Sequence, residues 1–419
     1  MNSWRKTTLG ALLKVEHGFA FKSEYFSDRG RLVVLTPGNF HETGGFRERP
    51  DKDRFYQGKF PDSYLLKRND LIVAMTEQGE GLLGSSALIP EGDKYLHNQR
   101  LGLVRPKKDV AEKVFLYYLF NADYVRQQIR NSSSGAKVRH TSPERIYRVK
   151  VFAPDKPCQR KIAAVLSAYD DLIGNNKRRI ALLEKMAEEI YREWFARMRF
   201  PGHEKVKVVK GVPEGWTIKR LDEIANFTMG QSPPSKAYNE TGEGLPFHQG
   251  VGTYGSRFPQ KVTYCTAKGR KAKKGDILFS VRAPVGRLNI ADCEMIIGRG
   301  LAAMSHKACY NSYLFYLLKV VFANEDIIGN GAIFNSVGKD ELAKLQVLQP
   351  DNPLIERFQS IAEKIDRQIE LLTMAMESLT KTRDLLLPRL ISGKLSVENL
   401  DIQFPPGMEE EMAEAKSKL

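Results

Sequence analysis

The chain has 419 residues, 42% of them hydrophobic and 10% aromatic, which indicates a folded protein larger than one typical domain and excludes an intrinsically disordered chain. Its 65 Lys and Arg residues against 50 Asp and Glu residues give a net charge of +15. That charge favours a polyanionic partner, either nucleic acid or an anionic membrane surface, although a basic protein without such a role stays open.

Several classes of protein are disfavoured by the same sequence. No segment approaches the roughly 20 apolar residues that a membrane span needs, and the first six residues are not followed by an apolar run, so we expect neither a membrane span nor a signal peptide. Four scattered cysteines favour free thiols in a reducing cytoplasm. Neither the cysteines nor the seven histidines have metal-ligand spacing, so we expect no metal.

Residues 1–157 show the pattern of a mixed, strand-rich domain. Short apolar runs at 32–35, 71–75 and 101–104 predict strands, and residues 114–129 predict one amphipathic helix. Residues 213–350 follow the same plan, with a predicted strand at 276–281 and a predicted helix at 312–321. We therefore predict two similar domains in tandem.

Each domain is followed by a long helix pattern with two heptad seams and charged flanks, which is typical of a coiled coil. In the first helix the seams carry Ile162, Tyr169, Asn176, Leu183, Ile190 and Leu166, Ile173, Ile180, Ala187, Trp194. In the second helix they carry Phe358, Ile365, Leu372, Leu379, Leu386 and Ala362, Ile369, Met376, Arg383, Leu390. Asn176 either fixes the register of the pair or is a tolerated polar residue near a helix end. The helices pair with each other or with a partner.

The two halves of the sequence repeat each other in detail. Residues 154–157 (PDKP) open the first helix and 350–353 (PDNP) open the second, and Asp170 in one helix corresponds to Asp366 in the other. Trp4 and Trp216 also correspond. Such self-similarity predicts an α+β fold: two strand-rich domains in tandem repeat, joined by two long antiparallel coiled-coil helices with pseudo-two-fold symmetry.

No catalytic motif is convincing. The sequence has neither a phosphate-binding loop of the GxxxxGK[ST] type nor a GxGxxG turn. Residues 232–235 (SPPS) are similar to an amino-methyltransferase tetrapeptide, but the last position is Ser where that chemistry needs an aromatic ring. We therefore expect a protein that is not an enzyme.

Arg, Gln and Lys side chains at corresponding places in the two halves point to DNA binding. Gln99, Arg100, Arg282 and Arg299 follow predicted strands, and Arg and Gln form paired hydrogen bonds with guanine and adenine edges. A basic run at residues 268–274 can contact phosphates, but a solvated turn is equally plausible. An internal structural role also stays open for each arginine.

The order of several short motifs resembles that of the specificity subunit of type I restriction–modification systems. In the first half they are residues 18–23 (GFAFKS), 98–102 (NQRLG), 138–143 (VRHTSP), 191–195 (YREWF) and 199–202 (RFPG). In the second half they are residues 231–235 (QSPPS), 238–240 (YNE), 280–286 (SVRAPVG) and 297–301 (IGRGL). The resemblance spans nearly the whole chain.

The resemblance implies a division into two target recognition domains, 1–157 and 213–350, and two spacer helices, 158–200 and 351–394, with a linker at 201–212 and a tail at 395–419. Each domain would read one half of an asymmetric, bipartite double-stranded DNA target. The helices would set the spacer and dock two methyltransferase subunits, through which restriction subunits join. S-adenosylmethionine, ATP and Mg²⁺ would then belong to the partner subunits, with no cofactor in this chain.

The residues expected to act in this way form two sets. The DNA-binding set is Lys22, Gln99, Arg100, Lys137, Arg139, Gln231, Lys271, Lys273, Lys274, Arg282 and Arg299. The helix-pairing set is Ile162, Leu166, Tyr169, Ile173, Asn176, Ile180, Leu183, Ile365, Ile369, Leu372, Met376 and Leu379. The alternative is a single-chain DNA enzyme with an unrecognised catalytic site, for which the sequence leaves no room.

Overall fold

The computed structural model describes residues 4–77, 81–135, 138–323, 327–328, 332–333 and 336–404. The chain divides into two compact units. Unit 1 contains Met1–Asn175 and Ala375–Leu419, and unit 2 contains Asn176–Met374. Both boundaries fall inside long helices, so each unit combines a strand-rich module with one half of each long helix.

Unit 1 is built on a four-stranded antiparallel sheet with the order β2-β10-β6-β8, beside a smaller sheet with the order β3-β5-β4-β9. Strand β1 pairs with β12, and β7 with β11. The strands are β1 Arg5–Thr8, β2 Leu13–His17, β3 Phe26–Ser27, β4 Val33–Val34, β5 Phe55–Tyr56, β6 Leu71–Ala74, β7 Thr76–Glu77, β8 Ser86–Leu88, β9 Tyr95–Leu96, β10 Leu101–Pro106, β11 Arg139–His140 and β12 Lys150–Ala153. The helices are α1 Leu9–Leu12, α2 Lys113–Asn121, α3 Asp123–Asn131, α4 Pro143–Tyr147 and the start of α5, Lys156–Tyr191.

Unit 2 repeats the topology of the main sheet, but its second sheet has five strands in the order β17-β19-β18-β23-β20. Its main sheet has the order β16-β24-β21-β22, and β15 pairs with β27 as β1 does with β12. The strands are β13 Val208–Val209, β14 Val212–Pro213, β15 Thr217–Arg220, β16 Ala225–Met229, β17 Tyr238–Asn239, β18 Leu245–His248, β19 Tyr264–Cys265, β20 Lys271–Ala272, β21 Ile277–Ser280, β22 Leu288–Ile290, β23 Met295–Ile297, β24 Leu301–His306, β25 Ile327–Ile328, β26 Ala332–Ile333 and β27 Gln346–Gln349. The helices are α6 Leu221–Ile224, α7 Asn311–Val321, α8 Lys339–Lys344 and α9 Asn352–Ile391.

The predicted α+β content, the tandem arrangement and the long helix α5 are confirmed, and α9 is a second helix, of 40 residues. Helix α5 continues through one π-helical turn, Arg192–Ala196. The predicted single helix at 114–129 is wrong, because the chain breaks into α2 and α3 at Ala122, whose backbone is extended (φ −71°, ψ 133°). The break lets both short helices bury apolar residues in one core, with Phe115 and Leu119 on α2 and Val125 and Ile129 on α3.

The core of each module is continuous with the long helices. In unit 1, Ile162 and Leu166 of α5 and Leu390 of α9 belong to the same buried cluster as Phe115 of α2. In unit 2, α5 and α9 likewise share a buried cluster with the main sheet and α7. The apolar faces of α5 and α9 therefore also pack against the strand-rich modules.

Three buried histidines lie in the modules. His97, His248 and His306 are at most 7% exposed. Burial lowers the pKa of each from the ordinary 6.5 to about 4, because a charged imidazole loses its hydration in the interior. Between pH 6.5 and about pH 4 these histidines therefore stay neutral in the folded protein, whereas the same histidines are protonated in the unfolded chain.

We expect the protein to be less stable at pH 5 than at pH 7. The stability is fully present above the unfolded pKa near 6.5 and is lost as the pH falls toward the folded pKa of about 4. Each histidine lowers the free energy of unfolding by about 2 kcal/mol at pH 5. Thermal unfolding at both pH values measures the loss. His97→Asn should reduce the difference between the two melting temperatures, and an undiminished difference would contradict the contribution of His97.

Candidate nucleic-acid interface

In unit 2, the ends of several strands are held together by backbone hydrogen bonds. Gly230 N donates to Leu301 O at 2.9 Å, and Gln231 N donates to Ile297 O at 3.0 Å. Val281 N donates to the carbonyl oxygen of Gly300 at 2.9 Å. The segments that follow β16, β21 and β23 therefore meet at one edge of the module.

A fourth segment, the loop after β18, joins the same edge. Gly298 N donates to His248 O at 2.8 Å, and Gly300 N donates to Gln249 O at 3.2 Å. The Ser232 hydroxyl donates to Gln249 Oε1 at 2.8 Å and accepts a hydrogen bond from Arg299 N at 3.3 Å. Ser232 therefore links three of the converging segments through a single hydroxyl group.

Glycine makes this close packing possible. A Cβ atom at Gly230 would lie 2.1 Å from Gly298 O, and one at Gly300 would lie 2.5 Å from Gln249 O. Both distances are far shorter than any real Cβ contact, and the clashing atoms are backbone oxygens that cannot rotate away. The sequence must supply glycine at these positions to bring the loops together.

This framework brings together three residues of the predicted DNA-binding set. Gln231, Arg282 and Arg299 are all exposed at this edge. Gln231 follows Gly230, Arg282 follows Val281, and Arg299 lies between Gly298 and Gly300. Exposed Arg and Gln side chains on a rigid backbone match the donor and acceptor pattern of base edges.

Unit 1 contains the same framework with different side chains. Phe19 N donates to His97 O at 2.8 Å, and Met75 N donates to Arg100 O at 3.0 Å. A Cβ atom at Gly18 would lie 2.0 Å from the carbonyl oxygen of Asn98, as at Gly230 in unit 2. Gln99 and Arg100 are exposed here. Gln99 therefore occupies the place that Arg299 occupies in unit 2.

Arg139 lies beside this framework. It belongs to β11, and its backbone lies opposite that of Glu77 in the antiparallel pairing with β7. Thr141 N donates to Met75 O at 2.9 Å. The Arg139 side chain is half-buried. Lys22 is exposed, with its Nζ 4.0 Å from Glu24. Lys137 lies outside the described residues.

The basic run of residues 268–274 is divided between two environments. Lys271 belongs to β20, pairs with Ile296 of the strand that leads into the Arg299 loop, and forms an exposed ion pair with Glu294 at 3.1 Å. Lys274 instead contacts Glu370 of α9 at 2.7 Å. Lys273 is exposed. Sequence reasoning treated these lysines as one cluster and missed the acidic partners, which come from distant segments.

Sequence reasoning also missed Glu77 and Gln249. Glu77 is buried, and its Oε2 accepts hydrogen bonds from Leu82 N at 2.9 Å and Leu83 N at 2.8 Å. It also lies 3.6 Å from Arg130 Nε. A single Glu at the end of a strand carries no sequence signal for this bracing role. Gln249 lies outside the motifs on which the sequence argument rested.

The predicted helix-pairing residues divide by burial. Those that are buried are Ile162, Leu166, Ile180, Ile365, Ile369 and Leu372. Those that are half-buried are Tyr169, Ile173, Asn176, Leu183, Met376 and Leu379.

Metal-binding clusters and membrane-spanning helices are both absent from the described part of the chain. No group of three or more His, Cys, Asp or Glu residues is placed to hold a metal ion among them. Within the same part of the chain, no helix combines the length and apolar character needed to cross a bilayer.

The tandem strand-rich modules, the long helices and the duplicated glycine framework define a protein built from two modules with the same main-sheet topology. The family model of the type I restriction modification DNA specificity domain matches residues 1–185 and 213–380. The chain belongs to this family.

Known proteins agree with this assignment. The chain is 32% identical over 319 residues to a protein of Methanocaldococcus jannaschii assigned as the MjaX specificity subunit of a type I restriction enzyme, with 72% of this chain and 73% of that protein covered. It is 21% identical to the EcoBI specificity subunit of Escherichia coli, and the match covers 95% of this chain and 87% of that protein. The fold is similar to the crystal structure of an S subunit from M. genitalium, with a TM-score of 0.62 and 17% identity. The match covers 93% of this chain and 96% of that structure.

We expect Gly230→Ala to destabilise unit 2, because the added methyl group must displace the Gly298 carbonyl and open the framework. Overpacking of this kind costs about 1–3 kcal/mol. The matched control is Gly252→Ala in a neighbouring loop, where a Cβ atom meets nothing within 4 Å. Thermal unfolding of both variants measures the difference, and equal melting temperatures would contradict the required glycine.

Proposed function

We propose that this chain is the DNA-reading subunit of a type I restriction–modification complex, in which each module reads one half of a bipartite target. The observation that carries the proposal is the duplicated glycine framework. The same backbone arrangement holds exposed Gln99 and Arg100 in unit 1 and exposed Gln231, Arg282 and Arg299 in unit 2. Membership of the specificity family supports the DNA-binding role.

The two modules carry different side chains on one framework, so we propose that the two half-sites differ. Where unit 1 presents Gln99, unit 2 presents Arg299, and Phe19 of unit 1 corresponds to Gln231 of unit 2. Glutamine forms paired hydrogen bonds with adenine and arginine with guanine. A pair of modules with unlike side chains therefore reads an asymmetric sequence.

We also propose that α5 and α9 form an antiparallel coiled coil with pseudo-two-fold symmetry, which sets the spacing of the half-sites. In unit 1, Asp170 of α5 accepts a hydrogen bond from Arg383 of α9 at 2.6 Å. In unit 2, Tyr191 of α5 packs on Phe358 of α9 with ring centroids 5.5 Å apart. Early α5 residues thus contact late α9 residues and late α5 residues contact early α9 residues, as antiparallel pairing requires.

The long helices also carry exposed apolar side chains, which support a docking role. In unit 2, Leu182 is 67% exposed on α5 and Met374 is 59% exposed on α9. In unit 1, Leu172 of α5 and Leu385 of α9 are 50% and 57% exposed. We propose that two methyltransferase subunits bind these helices and that restriction subunits join through them.

The division of the chain that we propose follows the predicted boundaries, with recognition domains at 1–157 and 213–350, a linker at 201–212, spacer helices at 158–200 and 351–394, and a tail at 395–419. The chain itself would be non-catalytic and act in the cytoplasm. S-adenosylmethionine, ATP and Mg²⁺ would bind the partner subunits.

Methylome sequencing tests the proposed function. Cells that produce this chain together with its methyltransferase subunit should show one split, asymmetric, methylated motif. Cells that produce the methyltransferase subunit alone should lack that motif. Methyl transfer by the purified chain without any partner would instead favour the single-chain enzyme.

Arg299→Ala should relax the preference for one base pair in one half-site. Loss of a paired hydrogen bond to a base edge costs about 1–3 kcal/mol, and the other half-site should be unaffected. Competition with every single-base variant of the target measures this. Arg100→Ala is the matched variant and should act on the opposite half-site.

Lys273→Ala should instead weaken binding to all sequences and flatten the salt dependence. A uniform loss for Arg299→Ala would remove its base-reading role.

Leu182→Glu should weaken association with the methyltransferase subunit by about tenfold or more, because it places a charge in an apolar contact. The matched control is Ile218→Glu, since Ile218 is equally exposed at 67% but lies on strand β15. Copurification at several salt concentrations compares the two variants. Equal retention of the partner by both would contradict docking at this face of α5.

A further inference from the structure

Arg257 is a buried arginine that joins the second module to a long helix. It lies in the loop between β18 and β19 and is only 3% exposed. Its guanidinium forms an ion pair with Asp366 of α9. Its Nη1 donates to the Tyr316 hydroxyl of α7 at 3.3 Å. A loop of the recognition module thus inserts its charge between the module and the helix.

The surroundings of Arg257 hold it from several directions. The guanidinium lies over the ring of Phe315 at 4.3 Å, and the Tyr316 hydroxyl donates to Asp366 Oδ1 at 3.2 Å. Burial raises the pKa of Glu184 on α5, and the positive charge of Arg257 opposes that rise. Charges from α5 and α9 therefore both face this one guanidinium.

The backbone of Arg257 is fixed as well as its side chain. Its carbonyl oxygen accepts a hydrogen bond from Ile290 N at 2.9 Å, which ties the loop to the end of β22. The side-chain amide of Asn289 donates to Gly255 O at 3.1 Å in the same loop. The loop therefore cannot swing away from the helix without breaking contacts at both its backbone and its charged tip.

The same loop reaches the candidate nucleic-acid interface at its other end. Gln249, which accepts hydrogen bonds from Gly300 N and Ser232 Oγ, begins this loop. His248 and Thr253 hold the intervening turn through a 2.8 Å side-chain hydrogen bond. One short segment thus connects the residues beside Arg299 with the buried anchor on α9.

Unit 1 contains part of the same arrangement. Tyr118 of α2 donates to Asp170 of α5 at 2.6 Å, as Tyr316 of α7 does to Asp366 of α9. The arginine that completes the unit 1 group is Arg383, which comes from α9 rather than from a loop of the module. Of these two groups, the one in unit 2 ties a recognition loop directly to a helix.

We propose that Arg257 is a positioning residue that fixes the angle of the second module on α9 and thereby restricts the half-site spacing that the complex accepts. This inference rests on the proposed function. Arg257 is buried and would not touch DNA itself. Removing its charge frees the module to tilt on the helix while the Gly230–Gly298 framework, and with it the base preference, stays intact.

The test uses the complete complex of this chain with its methyltransferase subunit. Target plasmids carry the natural half-sites at the natural spacing and at spacings one or two base pairs shorter or longer. Arg257→Met, which keeps the length of the side chain but removes its charge, should raise methylation at neighbouring spacings relative to the natural one by about tenfold, equivalent to about 1.4 kcal/mol. The preferred bases in both half-sites should not change. Arg257→Lys should restore part of the spacing discrimination.

A matched control separates the anchor from other contacts between module and helix. Glu356→Gln alters a carboxylate on the same helix that accepts a hydrogen bond from the Tyr310 hydroxyl at 2.7 Å but is exposed. Because water competes for an exposed hydrogen bond, this variant should keep the wild-type spacing profile. The proposal would be overturned if Arg257→Met kept the wild-type ratio of methylation between the natural and neighbouring spacings, whether or not total methylation fell.

Tyr316→Phe gives a second, milder variant in case Arg257→Met fails to fold. It removes one hydroxyl that bonds both Arg257 and Asp366 but keeps the ring. It should broaden the spacing profile in the same direction and by less, and an unchanged profile in a folded variant would refute the anchor. Failure of the proposed function is recognised separately, because the wild-type complex would then methylate no split target at any spacing.

Discussion

The burial of the apolar seams of α5 and α9 is the interaction on which the rest of the structure depends. In proteins most helix stability comes from packing of the apolar face rather than from propensity, and the core of each module includes the surface of both long helices. In unit 1, Ile162 and Leu166 fill the same core as the module helix α2, and in unit 2, Ile365 and Ile369 do so with α7. Each module is therefore packed on segments of the two long helices through a shared core.

The parts of the fold that follow from periodicity could be predicted from the sequence. The long helices, the strands at 71–75 and 276–281 and the tandem repeat all arise from apolar spacing that is local in the chain. The helix break at Ala122 could not be predicted, because it depends on how α2 and α3 share one core. The burial of Arg257 was also missed, since its partner Asp366 is distant in sequence and an isolated arginine in a glycine-containing loop reads as a solvent-exposed residue.

The candidate interface was predictable as a set of residue types but not as a geometry. Motif order pointed to Gln231, Arg282 and Arg299, and the structure brings these three to one edge through backbone hydrogen bonds. The role of the lysines could not be predicted in the same way, because a net charge of +15 does not say which lysines already form ion pairs. Lys274 is held by Glu370, and its charge is partly compensated before any partner arrives. Local pairing rather than net charge decides which cations remain for phosphates.

A framework built from backbone hydrogen bonds and glycine contacts separates folding from recognition. The bonds at Gly230, Gly298 and Gly300 use only main-chain atoms, so they do not depend on which side chain stands at position 299. The corresponding position in unit 1 carries Gln99 on the same backbone arrangement. A change of an exposed side chain here alters the hydrogen-bonding pattern offered to a partner at little cost in stability, because surface substitutions away from packed contacts are usually within about 0.5 kcal/mol of neutral. The buried anchor operates under the opposite constraint, since replacing Asp366 leaves the buried Arg257 without its ion-pair partner. The chain thus combines an edge whose side chains are free to vary with a module–helix junction whose side chains are not.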